Sequence, residues 1–241
     1  MKTNRRQFLG LSAGAAGMAA LPLSAGSAAA EAVKTNARIV IIGAGAAGAA
    51  LSNRLVRRLD GAKITLVDPR KEHLYQPGLT LVATGLKPAN YVVSETTDWL
   101  PKEAELVAEA ATEIDPVGRK VRTSGGKTLE YDYLVVAPGL VLDYDAIEGF
   151  SPDLIGKNGI GALYANPEFA ARTWEAAGRF TEEGGVGIFT RPATEMKCAG
   201  APLKHTFLID DIAKRKGNGD KIEITYANNN DALFGVPIVA E

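Results

Sequence analysis

The sequence has a single cysteine in 241 residues, so no disulfide can form within the chain and a disulfide-stapled scaffold is excluded. Basic and acidic residues nearly balance, 27 against 28, and the basic ones form no stripe, so nucleic acid is not an expected partner. The sequence also lacks internal repeats and, after residue 30, low-complexity tracts. What remains is the composition of a globular protein whose function must be sought in local motifs. No residue is assigned to a metal site.

The first thirty residues have the organisation of an export signal. Arg5 and Arg6 precede an Ala/Gly-rich apolar run over residues 8–23, and three alanines at 28–30 resemble a cleavage site. The paired arginines indicate the twin-arginine route. The apolar run is short for a transmembrane helix, although an uncleaved membrane anchor is the alternative. We therefore expect residues 1–30 to direct the protein to the periplasm.

A dinucleotide-binding fingerprint begins just after this signal. Residues 37–42 form a β-branched run typical of a buried parallel strand. They lead into the segment 43–48 (GAGAAG), a predicted helix over 49–59 and a second predicted strand over 63–67. Strand, glycines, helix and strand in this order indicate a Rossmann-like nucleotide site rather than an isolated glycine turn.

The residues of this fingerprint have separate predicted roles. Gly43 permits the tight turn, Gly45 lets a pyrophosphate lie against bare backbone, and Gly48 lets the helix pack close to the strand. The helix N-terminus at Ala46 supplies N–H donors and the positive end of the helix dipole. Asp68, twenty residues after Gly48, is placed to bind ribose hydroxyls. A dinucleotide cofactor is therefore predicted here.

A later segment indicates which dinucleotide it is. Residues 128–139 are predicted to form an apolar strand that ends in Ala137-Pro138-Gly139. This segment resembles the strand that closes the FAD domain of two-dinucleotide flavoproteins. The short strands and turns predicted over 107–126 fit the β-meander expected between the first helix of such a domain and this strand. The resemblance implies FAD as the cofactor, with Ala137 and Gly139 beside it.

Two further stretches resemble one family of flavoproteins. The loop 75–78 (YQPG) and the turn 197–202 (KCAGAP) are similar to segments of sulfide:quinone oxidoreductases. The resemblance extends from about residue 38 to the end of the sequence. It implies that Pro77 lies in a loop near the flavin and that Cys198 is a redox-active thiol.

The local sequence around Cys198 also favours reactivity. A strand is predicted over 185–190 and a helix over 202–216, so Cys198 lies close to a helix N-terminus, with Lys197 beside it. Both neighbours favour the thiolate, which is the reactive form of cysteine. The alternative is an inert, buried cysteine that acts as a small apolar residue.

The electron partner is suggested by a missing motif. No second G-x-G-x-x-G follows the predicted strand at 185–190, because residues 190–193 are TRPA. A nicotinamide is therefore disfavoured, and a quinone or a cytochrome is favoured.

His73, in the loop that the resemblance places near the flavin, could assist proton transfer, and His205 lies on the helix after Cys198. A structural role is the alternative for both histidines.

Together the motifs predict an α/β protein in three parts. Residues 1–30 are the signal peptide, 31–145 a Rossmann-like FAD-binding domain with three-layer β-β-α architecture, and 146–241 an incomplete second Rossmann-like domain. The family resemblance implies an FAD-dependent oxidoreductase that oxidises sulfide to sulfane sulfur and passes the electrons to quinone. In this reading Cys198 pairs with a second redox cysteine.

The sequence departs from the family pattern in what it lacks. It has no second redox cysteine, no second FAD-binding segment with a Gly-Asp pair, and no C-terminal apolar elements of the kind that bind quinone and membrane. We therefore expect a fragment or a truncated gene product, with membrane-surface association through the missing part. Three alternatives stay open: the flavin subunit of an exported flavocytochrome c sulfide dehydrogenase, an NADH-dependent flavin reductase, and a non-catalytic FAD-binding module.

Overall fold

A computed structural model describes residues 31–192, 194, 196–229 and 232–233. The predicted twin-arginine signal at 1–30 lies outside these described residues. The strands are β1 (Val33–Lys34), β2 (Arg38–Ile42), β3 (Leu59–Asp60), β4 (Lys63–Val67), β5 (Glu72–Leu74), β6 (Val93–Glu95), β7 (Glu105–Val107), β8 (Ala111–Asp115), β9 (Lys120–Thr123), β10 (Thr128–Glu130), β11 (Tyr133–Val136), β12 (Gly185–Thr190) and β13 (Ile222–Ala227). The α-helices are α1 (Ala46–Val56), α2 (Leu79–Val82), α3 (Pro167–Glu183) and α4 (Ala201–Arg215).

A four-stranded parallel sheet in the order β11-β2-β4-β7 forms the centre of the first part of the chain. β2 pairs with β4 from Arg38 opposite Lys63 to Ile42 opposite Val67. A three-stranded antiparallel sheet, β10-β9-β8, packs on one face, and α1 packs on the other. This is the three-layer β-β-α arrangement that the sequence predicts, so the α/β, Rossmann-like fold class is confirmed.

The central strands are apolar on both faces because both faces are covered. Ile39 and Ile41 are buried in the cluster that contains Leu55 of α1. Val40, which lies between them, packs in the opposite cluster with Val121 of β9. Since successive side chains in a strand point to opposite faces, β2 needs apolar residues at every position. Full burial of a side chain such as that of Ile41 contributes roughly 1.5–3 kcal/mol.

The single strand predicted over residues 128–139 is wrong, because the structure divides it into β10 and β11. The backbone N–H of Tyr131 donates to the Arg119 carbonyl at 3.0 Å and so belongs with the antiparallel sheet. The N–H of Asp132, one residue later, donates to the Arg38 carbonyl at 2.9 Å. The Asp132 carboxylate accepts from the Arg38 guanidinium, which lowers the pKa of Asp132 to about 2. The chain thus changes sheets between Tyr131 and Asp132.

The first helix is also displaced from its predicted range of 49–59. It begins at Ala46 and ends at Val56. Leu59, which the apolar spacing assigned to the helix, lies in β3 and pairs with Val33 of β1. The Val33 N–H donates to the carbonyl of Arg58 at 2.8 Å, so pairing with the strand replaces the last predicted turn of the helix.

The second part of the chain contains one βαβ unit. β12 and β13 are parallel, from Gly185 opposite Ile222 to Thr190 opposite Ala227, and α4 connects them. The strand predicted over 185–190 is confirmed, and the predicted helix lies one residue earlier than expected. The division at residue 145 stays a prediction. No helix in the described ranges is long and apolar enough to cross a membrane.

Contacts of the short helix α2 join the two parts of the chain. Leu79 and Val82 are buried in one cluster with Ala170 of α3. The ring of His205 on α4 is buried and donates from Nε2 to the Ala83 carbonyl at 3.2 Å. α2 is therefore packed against both α3 and α4, which holds the loop before it close to the turn that precedes α4.

Candidate functional site

The turn from β2 into α1 is closed on one side by the end of β11. Gly43 has a φ of +101° and donates its N–H to the Val67 carbonyl at 2.9 Å. A Cβ at Gly43 would lie 2.2 Å from the carbonyl oxygen of Ala137. Both the positive φ and the contact with backbone require glycine at this position. The two segments that the sequence predicts to bind the cofactor, 94 residues apart at Gly43 and Ala137, therefore meet at one edge of the sheet.

The other two glycines of the fingerprint differ in their surroundings. A Cβ at Gly48 would lie 1.9 Å from the Gly43 carbonyl oxygen, so this glycine permits close packing of the helix on the turn. A Cβ at Gly45 would meet only Nη2 of Arg70, at 3.6 Å. Gly45 is the N-cap of α1, and no side chain caps the helix there. The surface at Gly45 is thus open backbone at the N-terminus of α1, whose first residue is Ala46. Such a surface suits a pyrophosphate.

Asp68 lies at the end of β4, 3% exposed, beneath this turn. Its carboxylate accepts hydrogen bonds from the Ala44 N–H at 2.8 Å and from the N–H of Arg70 at 2.9 Å. Nε and Nη2 of Arg70 also donate to it, at 3.0 and 2.7 Å. Burial alone would raise the pKa of Asp68, but the hydrogen bonds from Arg70 and Ala44 outweigh it and hold the pKa below its ordinary value.

Arg70 is a site residue that sequence reasoning missed. The fingerprint assigns a role to the acid at the end of the second strand but none to a basic residue two positions later. The available signal was the short spacing, Asp68-Pro69-Arg70, which places a cation within reach of the carboxylate. Hydrogen bonding to Asp68 raises the pKa of the Arg70 guanidinium, which therefore stays charged.

The two motifs behind the family resemblance are in contact. The Lys197 ammonium donates to Oε1 of Gln76, across 121 positions of sequence. Pro77 lies in a short 3-10 helix at Gln76–Gly78, directly before α2. The loop near residue 77 and the turn near residue 198 thus form one local surface, which neither motif alone could establish.

Cys198 is exposed and free, and it lies three residues before α4. Its φ is +53°, which is uncommon for a residue other than glycine and typical of positions that the surrounding structure constrains. Its carbonyl accepts from the Ala201 N–H at 2.9 Å, which fixes the turn at the start of the helix. The cysteine is therefore not buried, as the alternative would require, and its redox role stays a prediction.

Tyr164 is a second residue that the sequence analysis missed. Its hydroxyl lies 2.7 Å from Oγ1 of Thr80, which belongs to α2. Burial raises the pKa of the Tyr164 hydroxyl, the Thr80 hydrogen bond opposes this, and a negative charge on Cys198 adds to the increase. No local pattern indicated the Thr80–Tyr164 contact, because the two residues are 84 positions apart in the sequence.

The remaining predicted residues have simpler environments. Gly139 has a φ of +85° and open space where a Cβ would lie. His73 stacks on Trp99 with ring centroids 5.5 Å apart. Burial lowers the pKa of His205, partly offset by its hydrogen bond to Ala83, which agrees with the structural alternative for this histidine. In the described ranges, no three His, Cys, Asp or Glu side chains are grouped as metal ligands.

Residues 37–184 match the family model of the pyridine nucleotide-disulphide oxidoreductases, which covers more than half of the chain. The chain belongs to this family. Its relatives are FAD-binding proteins, in agreement with the cofactor that the sequence predicts.

The resemblance to sulfide:quinone oxidoreductases is confirmed. The chain is 32% identical over 220 residues to the mitochondrial sulfide:quinone oxidoreductase of Mus musculus, covering 91% of this chain and 48% of that protein. It is 34% identical over 210 residues to that of Dictyostelium discoideum, covering 87% and 46%. The X-ray structure of the sulfide:quinone oxidoreductase from Aquifex aeolicus shares the fold, with a TM-score of 0.59 and 24% identity over 80% of this chain and 43% of the other. The chain spans about half the length of the curated relatives it matches.

Proposed function

We propose that the chain binds FAD at the carboxyl edge of the parallel sheet. The observation that carries this proposal is the surface at Gly45, where bare backbone and a helix N-terminus face open space between Asp68 and the end of β11. Ala46 begins the helix whose N–H groups would face the pyrophosphate, and Ala137 lies against Gly43 in the same turn, with Gly139 two residues later in the chain. FAD, when bound, supplies a two-electron acceptor that no side chain of this protein can replace.

We propose that the protein oxidises sulfide to sulfane sulfur and delivers the electrons to quinone. Support comes from the relatives named as sulfide:quinone oxidoreductases and from the contact between the Gln76 loop and the Cys198 turn. In the proposed reaction, hydrosulfide attacks a disulfide formed by Cys198 and a second cysteine. The S–S bond breaks, one sulfur receives the new sulfur as a persulfide, and the other leaves as a thiolate. FAD, when bound, would accept the two electrons that sulfide gives up, and quinone would be the final acceptor.

The second cysteine must come from outside this sequence, since Cys198 is its only thiol. The chain supplies the other parts of the proposal. The exposed position of Cys198 gives hydrosulfide access, and the turn before α4 fixes the backbone at Cys198. We further propose export to the periplasm through Arg5 and Arg6, and membrane-surface association through a part of the protein outside this sequence.

The test uses the chain together with the part that supplies the second cysteine, reconstituted with FAD under anaerobic conditions. Sulfide or NADH is added while flavin absorbance is followed, and then either a short-chain quinone or cytochrome c is supplied. We expect sulfide to bleach the flavin, NADH to leave it oxidised, and quinone to restore its absorbance. Bleaching by NADH alone would favour a flavin reductase. Reoxidation by cytochrome c alone would favour a flavocytochrome subunit. Bound flavin that neither donor reduces would indicate a binding module.

A further inference from the structure

The carboxylate of Asp68 already has a full set of hydrogen-bond partners. One oxygen accepts from the backbone N–H and Nε of Arg70, at 2.9 and 3.0 Å. The other accepts from the Ala44 N–H at 2.8 Å and from Nη2 of Arg70 at 2.7 Å. A carboxylate offers about four acceptor positions, so these four donors leave none for ribose hydroxyls. A dinucleotide can use Asp68 only if one of these donors finds another partner.

The Arg70 guanidinium is the donor that can be exchanged. The N–H groups of Ala44 and Arg70 belong to the backbone at the turn after β2 and at the end of β4. The Arg70 side chain is 57% exposed, and among the described residues its tip is held by Asp68. Nη2 is also the atom nearest to the open surface at Gly45, 3.6 Å from the position of a Cβ there. The cation therefore lies between the buried acid and the surface where a pyrophosphate would lie.

We propose that Arg70 is a pyrophosphate-binding residue that exchanges its ion pair with Asp68 for one with the cofactor, so that ribose and pyrophosphate recognition are coupled. The inference rests on the dinucleotide site of the proposed function. A guanidinium matches phosphate oxygens with two parallel hydrogen bonds, as it does a carboxylate. The exchange keeps Arg70 paired with an anion and frees two acceptor positions on Asp68 for ribose hydroxyls. A ligand without phosphate offers Arg70 no replacement partner and has to compete with it for Asp68.

The test compares two probes that differ only in phosphate. Dissociation constants for ADP and adenosine are measured by competition against FAD fluorescence, with wild type, Arg70→Ala and Arg70→Lys. We expect Arg70→Ala to weaken ADP binding about tenfold, the value of one lost charge-assisted pair, and to leave adenosine binding equal or tighter. Arg70→Lys keeps the charge but loses the paired geometry, so its effect on ADP should be intermediate.

The control is Lys71→Ala, which removes the same charge from the next, exposed residue and should alter neither probe. Thermal unfolding of each variant checks that the fold is retained. Equal changes in ADP and adenosine binding in Arg70→Ala, or no change in either, would overturn the proposed role of Arg70. Failure of the wild-type protein to bind FAD would instead sink the proposed cofactor site, and the inference with it.

Discussion

At the scale of single residues, the three glycines of the turn meet different physical demands. Gly43 and Gly48 face backbone oxygen atoms at distances that no Cβ can occupy, so they serve the fold. Gly45 faces open space and is free to serve a ligand. The distinction separates variants that damage folding from variants that damage binding.

Gly48→Ala should destabilise the protein by about 1–3 kcal/mol, because its methyl group would overlap the Gly43 carbonyl and force the helix away from the turn. The free energy of unfolding in urea measures this. The matched variant Gly45→Val should unfold nearly as wild type does but lose FAD, because the branched side chain fills the pyrophosphate surface. A Gly45→Val protein that retains a normal flavin spectrum would contradict the site assignment.

Asp68 should make stability depend on pH. Its pKa is lower in the folded protein than the roughly 3.9 of an unfolded chain, so its contribution is present above that value and lost as pH falls through the folded pKa. The difference in unfolding free energy between wild type and Asp68→Asn should therefore be largest near pH 7 and shrink below about pH 4. A difference that stays constant from pH 7 to pH 3 would show that the carboxylate charge has no part in it.

Sequence reasoning locates the turn at residues whose place in the fold is encoded by neighbours in the chain, and their roles toward a cofactor stay predictions. Gly43, Gly45 and Asp68 follow from a strand, a turn and a helix in order, because that local geometry leaves few alternatives. Arg70 and Tyr164 did not follow, since their contacts depend on side-chain directions and on chain segments that pack only in the folded protein. Cys198 was predicted as a site residue from its motif, whereas its positive φ could be seen only in the structure.

At the scale of elements, the hydrogen bonds that a segment makes to a neighbouring strand determine where its helix or strand ends. The β-branched strands β2 and β4 match their predicted ranges within one residue, because burial on both faces leaves a continuous apolar signal. The segment 128–139 carries a similar apolar signal, yet two different sheets bind its halves. Apolar pattern alone cannot show that Asp132 is bound by Arg38 from another strand.

A partly buried hydrogen bond between the Thr80 and Tyr164 hydroxyls helps to link α2 to the segment before α3. Tyr164→Phe removes the partner of Thr80, which is buried, and should lower the unfolding free energy by about 1 kcal/mol. Urea unfolding measures the change. Tyr133→Phe is the matched control, because the Tyr133 residue is 65% exposed and its variant should unfold as wild type does. Equal effects of the two substitutions would show that the Thr80–Tyr164 hydrogen bond does not contribute to stability.

At the scale of the whole molecule, the proposed location follows from the start of the sequence. Arg5→Lys combined with Arg6→Lys keeps the positive charge but removes the paired arginines that indicate the twin-arginine route. We expect the precursor to remain in the cytoplasm, which cell fractionation and immunoblotting would measure. Normal periplasmic levels of the double variant would show that export, if it occurs, uses another signal.

The fold brings the Gln76 loop and the Cys198 turn together through Lys197, and the proposed chemistry depends on the Cys198 sulfur in that turn. Serine is close to cysteine in size, so Cys198→Ser should keep the fold and the flavin. It cannot form a disulfide or carry a persulfide, and the sequence holds no other thiol to replace it.

The most direct test is anaerobic bleaching of bound flavin by sulfide, compared between the wild type and its Cys198→Ser variant at equal FAD content, each together with the part that supplies the second cysteine. The account predicts rapid bleaching in the wild type and a loss of at least about 10³-fold in rate in the variant, as expected when a covalent nucleophile is removed. Equal rates in the two proteins would contradict it and would exclude Cys198 from sulfide oxidation.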